Sequence, residues 1–71
     1  MYIILMRHGE AVPQTEEVSN QNRSLTPKGM RQVRKSARML AHFLKENPIR
    51  IYTSPYYRTR QTAGILAEEC F

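Results

Sequence analysis

The chain is poor in several residue types, and each shortage excludes a class of protein. It holds a single cysteine, Cys70, so no internal disulfide can form. With only His8 and His42 beside that thiol, no Cys/His cluster offers a zinc site, and no metal or other cofactor is expected. The longest clean apolar run, Tyr2 to Met6, falls far short of the roughly 20 residues that span a membrane. No positively charged start, long apolar stretch or small-residue cleavage site marks a signal peptide, so the expected location is the cytoplasm and no membrane partner is expected. Acidic side chains are scarce: six face eleven Lys and Arg, a net charge of +5. That excess favours anionic partners, whether phosphates, nucleic acid or an acidic protein face. The hydrophobic fraction of 41% is too high for a disordered tail. At 71 residues the chain holds one domain at most, and a chain so short buries only about 60% of its unfolded surface.

Read in order, Tyr2-Ile3-Ile4-Leu5-Met6 is apolar and β-branched without alternation, the pattern of a strand buried on both faces of a parallel sheet. It stops at Arg7-His8-Gly9-Glu10, and the stretch from Ala11 to Ser24 has no period and reads as a long loop. Thr26-Pro27 then opens a helix, since threonine caps free N–H groups and proline suits the first helical position. Met30, Val33, Ala37, Leu40, Ala41 and Leu44 recur at spacings of three and four, which places them on one stripe. Lys28, Arg31, Lys35, Arg38, His42 and Lys45 fall opposite. Asn47-Pro48 ends the helix. Ile49 to Thr53 reads as a second strand, Ser54-Pro55 repeats the cap-then-proline signal, and a second helix runs from about Tyr56, with Thr62, Ala63 and Leu66 inward.

A strand–helix–strand unit makes parallel strands joined by a right-handed crossover, and in such sheets ligands bind outside the carboxyl ends of the strands. Those ends are Arg7-His8-Gly9 and Ser54-Pro55-Tyr56-Tyr57-Arg58, so two arginines and a histidine are expected to converge on one edge. Arginine offers a planar fork of donors for phosphate. Histidine serves as nucleophile or as proton carrier, and glycine lets backbone approach a ligand. Arg58 sits near a helix N-terminus, which also favours anions. The pattern is that of a phosphate pocket with a nitrogen nucleophile beside it.

Leu5-Met6-Arg7-His8-Gly9-Glu10 resembles the signature of the histidine phosphatase superfamily, the phosphoglycerate-mutase-like fold. Leu25-Thr26-Pro27-Lys28-Gly29 is similar to the family's L-T-x-x-G helix start, and the segment from Thr53 to Ala63 resembles its S-P-x-x-R-x-x-Q-T-A motif. The short gap between the first two motifs is most like the SixA-type phosphohistidine phosphatases. The resemblance implies an α/β, three-layer fold with a mainly parallel sheet, of which this chain supplies strand, loop, helix, strand and helix. It implies that His8 attacks phosphorus to form a phosphohistidine while Arg7 and Arg58 hold the phosphoryl oxygens. Arg23 matches a phosphate-binding arginine of the SixA type, and Gly9 belongs to the same phosphate-binding set. The substrate implied is a phosphorylated protein carrying a phosphohistidine domain, or a small phosphorylated metabolite; phosphate-like anions would bind too, and mutase activity is the less favoured chemistry.

The departures are as informative. The family needs a second pocket histidine, and most branches add a carboxylate acid. His42 lies on the basic outer face, and Glu10, Glu16 and Glu17 have no assignable role. Residues 1–71 therefore read as about the N-terminal half of one such domain, truncated. Two other readings compete: an inactive family member that keeps only anion binding, and a nucleic-acid module using Lys28, Arg31, Arg34, Lys35 and Arg38. Interleaved aromatics and helix-turn-helix spacing are both missing from that basic face, so no nucleic-acid partner is expected.

Overall fold

The computed structural model describes residues 3–44 and 49–71. A 3-10 turn at Asn20–Asn22 precedes two α-helices, α1 (Pro27–Leu44) and α2 (Tyr57–Cys70). Helix α1 starts where capping chemistry dictates. The Thr26 hydroxyl accepts from the Gly29 N–H at 2.9 Å, and the Met30 N–H reaches the Thr26 carbonyl at 2.9 Å. Thr26→Ala is expected to cost about 1 kcal/mol, read as a lowered urea midpoint with an unchanged slope. The stop expected at Asn47-Pro48, like Lys45 on the basic face, lies outside the described residues.

Gly29, Val33 and Ala37 form the buried stripe of α1, one turn apart. Leu40, Ala41 and Leu44 are half-buried continuations of it, whereas Met30 is exposed. Helix α2 differs more from expectation. Its N-cap is Tyr56, which makes no side-chain cap bond, so Ser54 is not the cap. Instead the Thr59 hydroxyl ties the entry together, donating within reach of the Ser54 and Tyr56 carbonyls at 2.9 and 2.8 Å. The buried face of α2 is Arg58, Thr62 and Ile65; Ala63 and Leu66 are half-buried flanks. Leu25, Val33 and Ile65 make the core cluster, with Met6 packed against it.

The two expected strands are the main correction. Residues 3–10 and 49–54 form no regular secondary structure, and among the described residues the only β pairing is an isolated antiparallel bridge between Ala11 and Leu25. The physical reason is burial. A strand of the parallel kind needs apolar cover on both faces and neighbours along its edges. Here Ile3 and Leu5 are 83% and 93% exposed, and Tyr52 is 85% exposed. The bridge, with Val12 N–H to Ser24 O at 2.8 Å and Thr26 N–H to Glu10 O at 2.9 Å, closes the loop of residues 11–24 into a hairpin-like excursion.

The helices nevertheless keep the arrangement a crossover unit requires. The Leu25 N–H, just before α1, donates to the Gln61 carboxamide near the start of α2 at 2.7 Å. Further along, Arg34 donates to Glu69 at 2.7 Å and to Glu68 at 3.2 Å, and Arg38 lies 3.5 Å from Glu69. Contacts that advance in the same direction along both helices mean that the helices run side by side and parallel. The chain must then return along the length of α1, about 27 Å at 1.5 Å per residue, before α2 begins. Among the described residues no helix is long and apolar enough to cross a membrane, and no cluster of three or more His, Cys, Asp or Glu side chains is placed to hold a metal ion.

The Arg34 hydrogen bond holds the Glu69 carboxyl below its ordinary value of 4.5, and the same bond raises the Arg34 guanidinium. The unfolded chain therefore takes up the Glu69 proton first on acidification. The pair's contribution is fully present above about pH 4.5 and is lost as pH falls through the lower folded value. A melting series from pH 6 to 3 should show that loss, and Glu69→Gln should flatten it.

Candidate active site

The site begins at a close approach of backbone. A side chain at Gly9 would collide with the Gly29 carbonyl and would lie 2.8 Å from Val33 Cγ2. A side chain at Gly29 would collide with the Glu10 carbonyl. The Arg7-His8-Gly9-Glu10 segment therefore lies directly against the first turn of α1, and only two glycines permit that contact. The Glu10 N–H donates to Gln32 of α1 at 3.1 Å, and Glu10 pairs with Lys28 at 3.6 Å. Gly9 is buried in this packing, which gives it a structural duty distinct from approach to a ligand.

Within this frame His8 has one defined tautomer. Its Nδ1 lies 2.7 Å from the Gly9 carbonyl oxygen, which can only accept, so Nδ1 carries the proton. The Arg58 Nε–H donates to His8 Nε2 at 3.3 Å, so Nε2 presents its lone pair. A nucleophilic nitrogen thus faces a guanidinium from a residue fifty positions away.

Arg58 is held at several points. It is 9% exposed; its Nη1 donates to the Asn20 carbonyl at 2.7 Å, and its Cζ lies 4.7 Å from the Tyr56 ring centroid. Thr62, one turn on, donates to the Arg58 carbonyl at 2.8 Å. The Nη2 donors make no hydrogen bond among the described residues, which leaves them for an oxyanion.

The other expected site residues are placed differently. Arg7 is exposed beside the half-buried His8, and it pairs with nothing among the described residues. Arg23 is committed to the loop: Nε donates to the Val12 carbonyl at 2.7 Å and Nη1 to Asn20 Oδ1 at 3.1 Å. His42 is exposed on the outer side of α1, as its position in the helix dictates. Asn20 and Tyr56 are the contributors that sequence reasoning missed. A backbone carbonyl in a 3-10 turn has no residue-type signature, whereas Tyr56 lies inside the recognised motif.

Two clefts lie in this part of the molecule. One, of about 130 Å³, is bounded by Met6, His8, Ile51, Thr53 and Thr62 among others, so the two irregular segments share it without pairing. The other, of about 280 Å³, is lined by Gln21, Asn22, Pro55, Tyr56, Tyr57 and Arg60. Cys70 offers no competing nucleophile: burial and the neighbouring Glu69 carboxylate push its thiol up.

A histidine held in one tautomer against an arginine at a helix start is the geometry of this candidate site, and comparison with known proteins gives the family. Residues 3–70 match the histidine phosphatase superfamily (branch 1), and the chain belongs to that family. Phosphoglycerate mutase 2 of Saccharomyces cerevisiae (strain ATCC 204508 / S288c) is 34% identical over 80 aligned positions, which cover 97% of this chain and 24% of that protein. The chain thus spans about a quarter of the length of this relative. No solved structure matches. Membership implies a phosphoglycerate-mutase-like α/β fold, of which α1 and α2 are helical elements; the described residues do not display its sheet.

Proposed function

We propose that this chain is the nucleophile-bearing part of a histidine phosphatase domain, in which His8 accepts a phosphoryl group and passes it to water. The observation that carries the reading is the His8 tautomer, with Nδ1–H on the Gly9 carbonyl and the Nε2 lone pair facing Arg58. In the step proposed, the Nε2 lone pair forms the bond to phosphorus as the bond from phosphorus to the leaving atom breaks, an oxygen in a phosphomonoester or a ring nitrogen in a phosphohistidine, and the leaving group departs with that electron pair. The proton stays on Nδ1 and remains hydrogen-bonded to the Gly9 carbonyl, whose negative end favours the positive charge the ring gains. The incoming phosphoryl group displaces the long Arg58–His8 contact and takes the Nε–H and Nη2–H edge of Arg58 as a bidentate clamp. Arg7, exposed beside His8, closes on the remaining oxygens. Water then attacks phosphorus, and the bond to Nε2 breaks with its electron pair returning to the ring.

The substrates proposed are a phosphohistidine on a partner protein, as in the SixA type, or a small phosphomonoester. A mutase is the second reading, favoured by the likeness to the yeast phosphoglycerate mutase. The test is covalent capture from acetyl phosphate, whose acetate leaves without needing an acid. An acid-labile, base-stable phosphoryl group on His8, seen by intact mass and phosphorus NMR, is the expected result. Absence of any incorporation sinks the reading. Transfer of the captured group to a phosphoglycerate faster than to water favours the mutase.

A further inference from the structure

Arg23 is tied to the loop that flanks the site. Both of the donors it uses are turned inward, Nε to the Val12 carbonyl at 2.7 Å and Nη1 to the Asn20 side-chain oxygen at 3.1 Å. Val12 lies at the start of the loop and Asn20 opens the 3-10 turn, for which Arg23 is itself the C-cap. The guanidinium thus clamps the turn to the loop's first strand of backbone, and the Asn22 N–H to Ser19 carbonyl bond at 3.0 Å closes the turn from within. What the turn then presents is the Asn20 carbonyl, which takes Arg58 Nη1 at 2.7 Å.

Arg58 bridges two acceptors, the Asn20 carbonyl at Nη1 and His8 Nε2 at Nε. Two hydrogen bonds at different edges of a planar guanidinium fix its orientation as well as its position. Removing either acceptor leaves the long side chain with several rotamers. We propose that Arg23 and Asn20 are positioning residues: Arg23 grips the Asn20 side chain so that the Asn20 carbonyl holds Arg58 against His8. Arg23 acts on the site through Asn20, not as a ligand of phosphate. The consequence for catalysis rests on the phosphoryl-transfer reading above, but the positioning itself does not.

The experiment follows the Nε–H signals of Arg58 and Arg23 in nitrogen–proton NMR spectra of the full chain. In the unsubstituted chain both signals are expected to be slow to exchange with water, unlike that of exposed Arg31. If the Arg23 signal exchanges as fast as that of Arg31, the proposal is overturned before any variant is made. Asn20→Ala removes the grip without removing a charge, and it is expected to speed exchange of the Arg58 signal at least tenfold. Asn20→Asp keeps an acceptor for Arg23 and is expected to restore the slow exchange. Arg23→Ala should reproduce Asn20→Ala, and combining the two should add little further, because both break one chain of contacts.

A purely structural role would lower the melting temperature in Asn20→Ala and Asn20→Asp alike and would not give rescue by aspartate. Direct phosphate binding by Arg23 would give a different pattern: vanadate affinity lost in Arg23→Ala, with the Arg58 signal unchanged and Asn20→Ala silent. Either pattern overturns the proposal. Since no turnover is measured, its failure is distinct from failure of phosphoryl capture at His8.

Discussion

His8→Ala is expected to reduce phosphoryl capture from acetyl phosphate to the uncatalysed background, a loss on the order of 10⁴-fold or more. The magnitude follows from having no substitute. Capture needs an unprotonated nitrogen or a thiolate placed beside an anion-binding group. His8 Nε2 satisfies this with its lone pair 3.3 Å from Arg58 Nε. His42 is exposed on the outer side of α1. Cys70 closes α2, about 18 Å along the helix from Arg58, and its thiol is pushed up by burial. Arg58→Ala should leave some capture, lowered by about 10²–10³-fold, because it removes charge stabilisation and spares the nucleophile. Retention of full capture by His8→Ala would place the nucleophile elsewhere, and equal losses in both variants would point to collapse of the site as a whole. A helical circular dichroism spectrum unchanged in His8→Ala separates the chemistry from the fold.

The second large effect is on stability, and its sign is what decides. In an ordinary helix, replacing glycine by alanine stabilises by up to about 1 kcal/mol. Gly29 has no positive φ, so nothing in its backbone forbids a side chain. Yet a Cβ there would collide with the Glu10 carbonyl oxygen and would sit 2.9 Å from both Glu10 C and Glu10 N. Backbone cannot swing aside as a flexible side chain can, so the His8-bearing segment has to lift from α1. Gly29→Ala is therefore expected to destabilise by about 1–3 kcal/mol, the usual range for overpacking. In a chain this short that is a large share of all the stability there is. Gly64, in α2, is the control: nothing lies within 4 Å of its would-be Cβ, and Gly64→Ala should stabilise. A stabilising Gly29→Ala would mean that the segment does not pack on α1, and the orientation of His8 would fall with it.

These two glycines also show where sequence reasoning stops. Gly9 and Gly29 both stand inside recognisable motifs, and Gly9 invited a reading as a point of ligand approach. The structure places both in one backbone-to-backbone contact, which depends on how the segment and the helix meet. Arg23 is a parallel case. Its position after a polar loop suits a phosphate ligand, but its Nε and Nη1 donate to Val12 and Asn20, partners that no local pattern specifies. The unpaired segments are the opposite case. Their β-branched composition is legible, but pairing needs neighbours on both faces, and the exposure of Ile3, Leu5 and Tyr52 shows that these are not provided within the described residues.

What the amino-acid order determined by itself was local. The start of α1 at Thr26-Pro27, its inner stripe, a second helix after Pro55 and the histidine and arginine motifs all arise within a few residues of chain. Capping and helical periodicity act over one turn, so composition and spacing suffice to place them. Tertiary structure decided the rest: the His8 tautomer set by the Gly9 carbonyl, the meeting of His8 with Arg58, and the hold of Asn20 on that arginine. The last two join residues fifty and thirty-eight positions apart. Contacts at such separations depend on which helix faces are buried and which backbone carbonyls are left to accept, and only the folded chain specifies both.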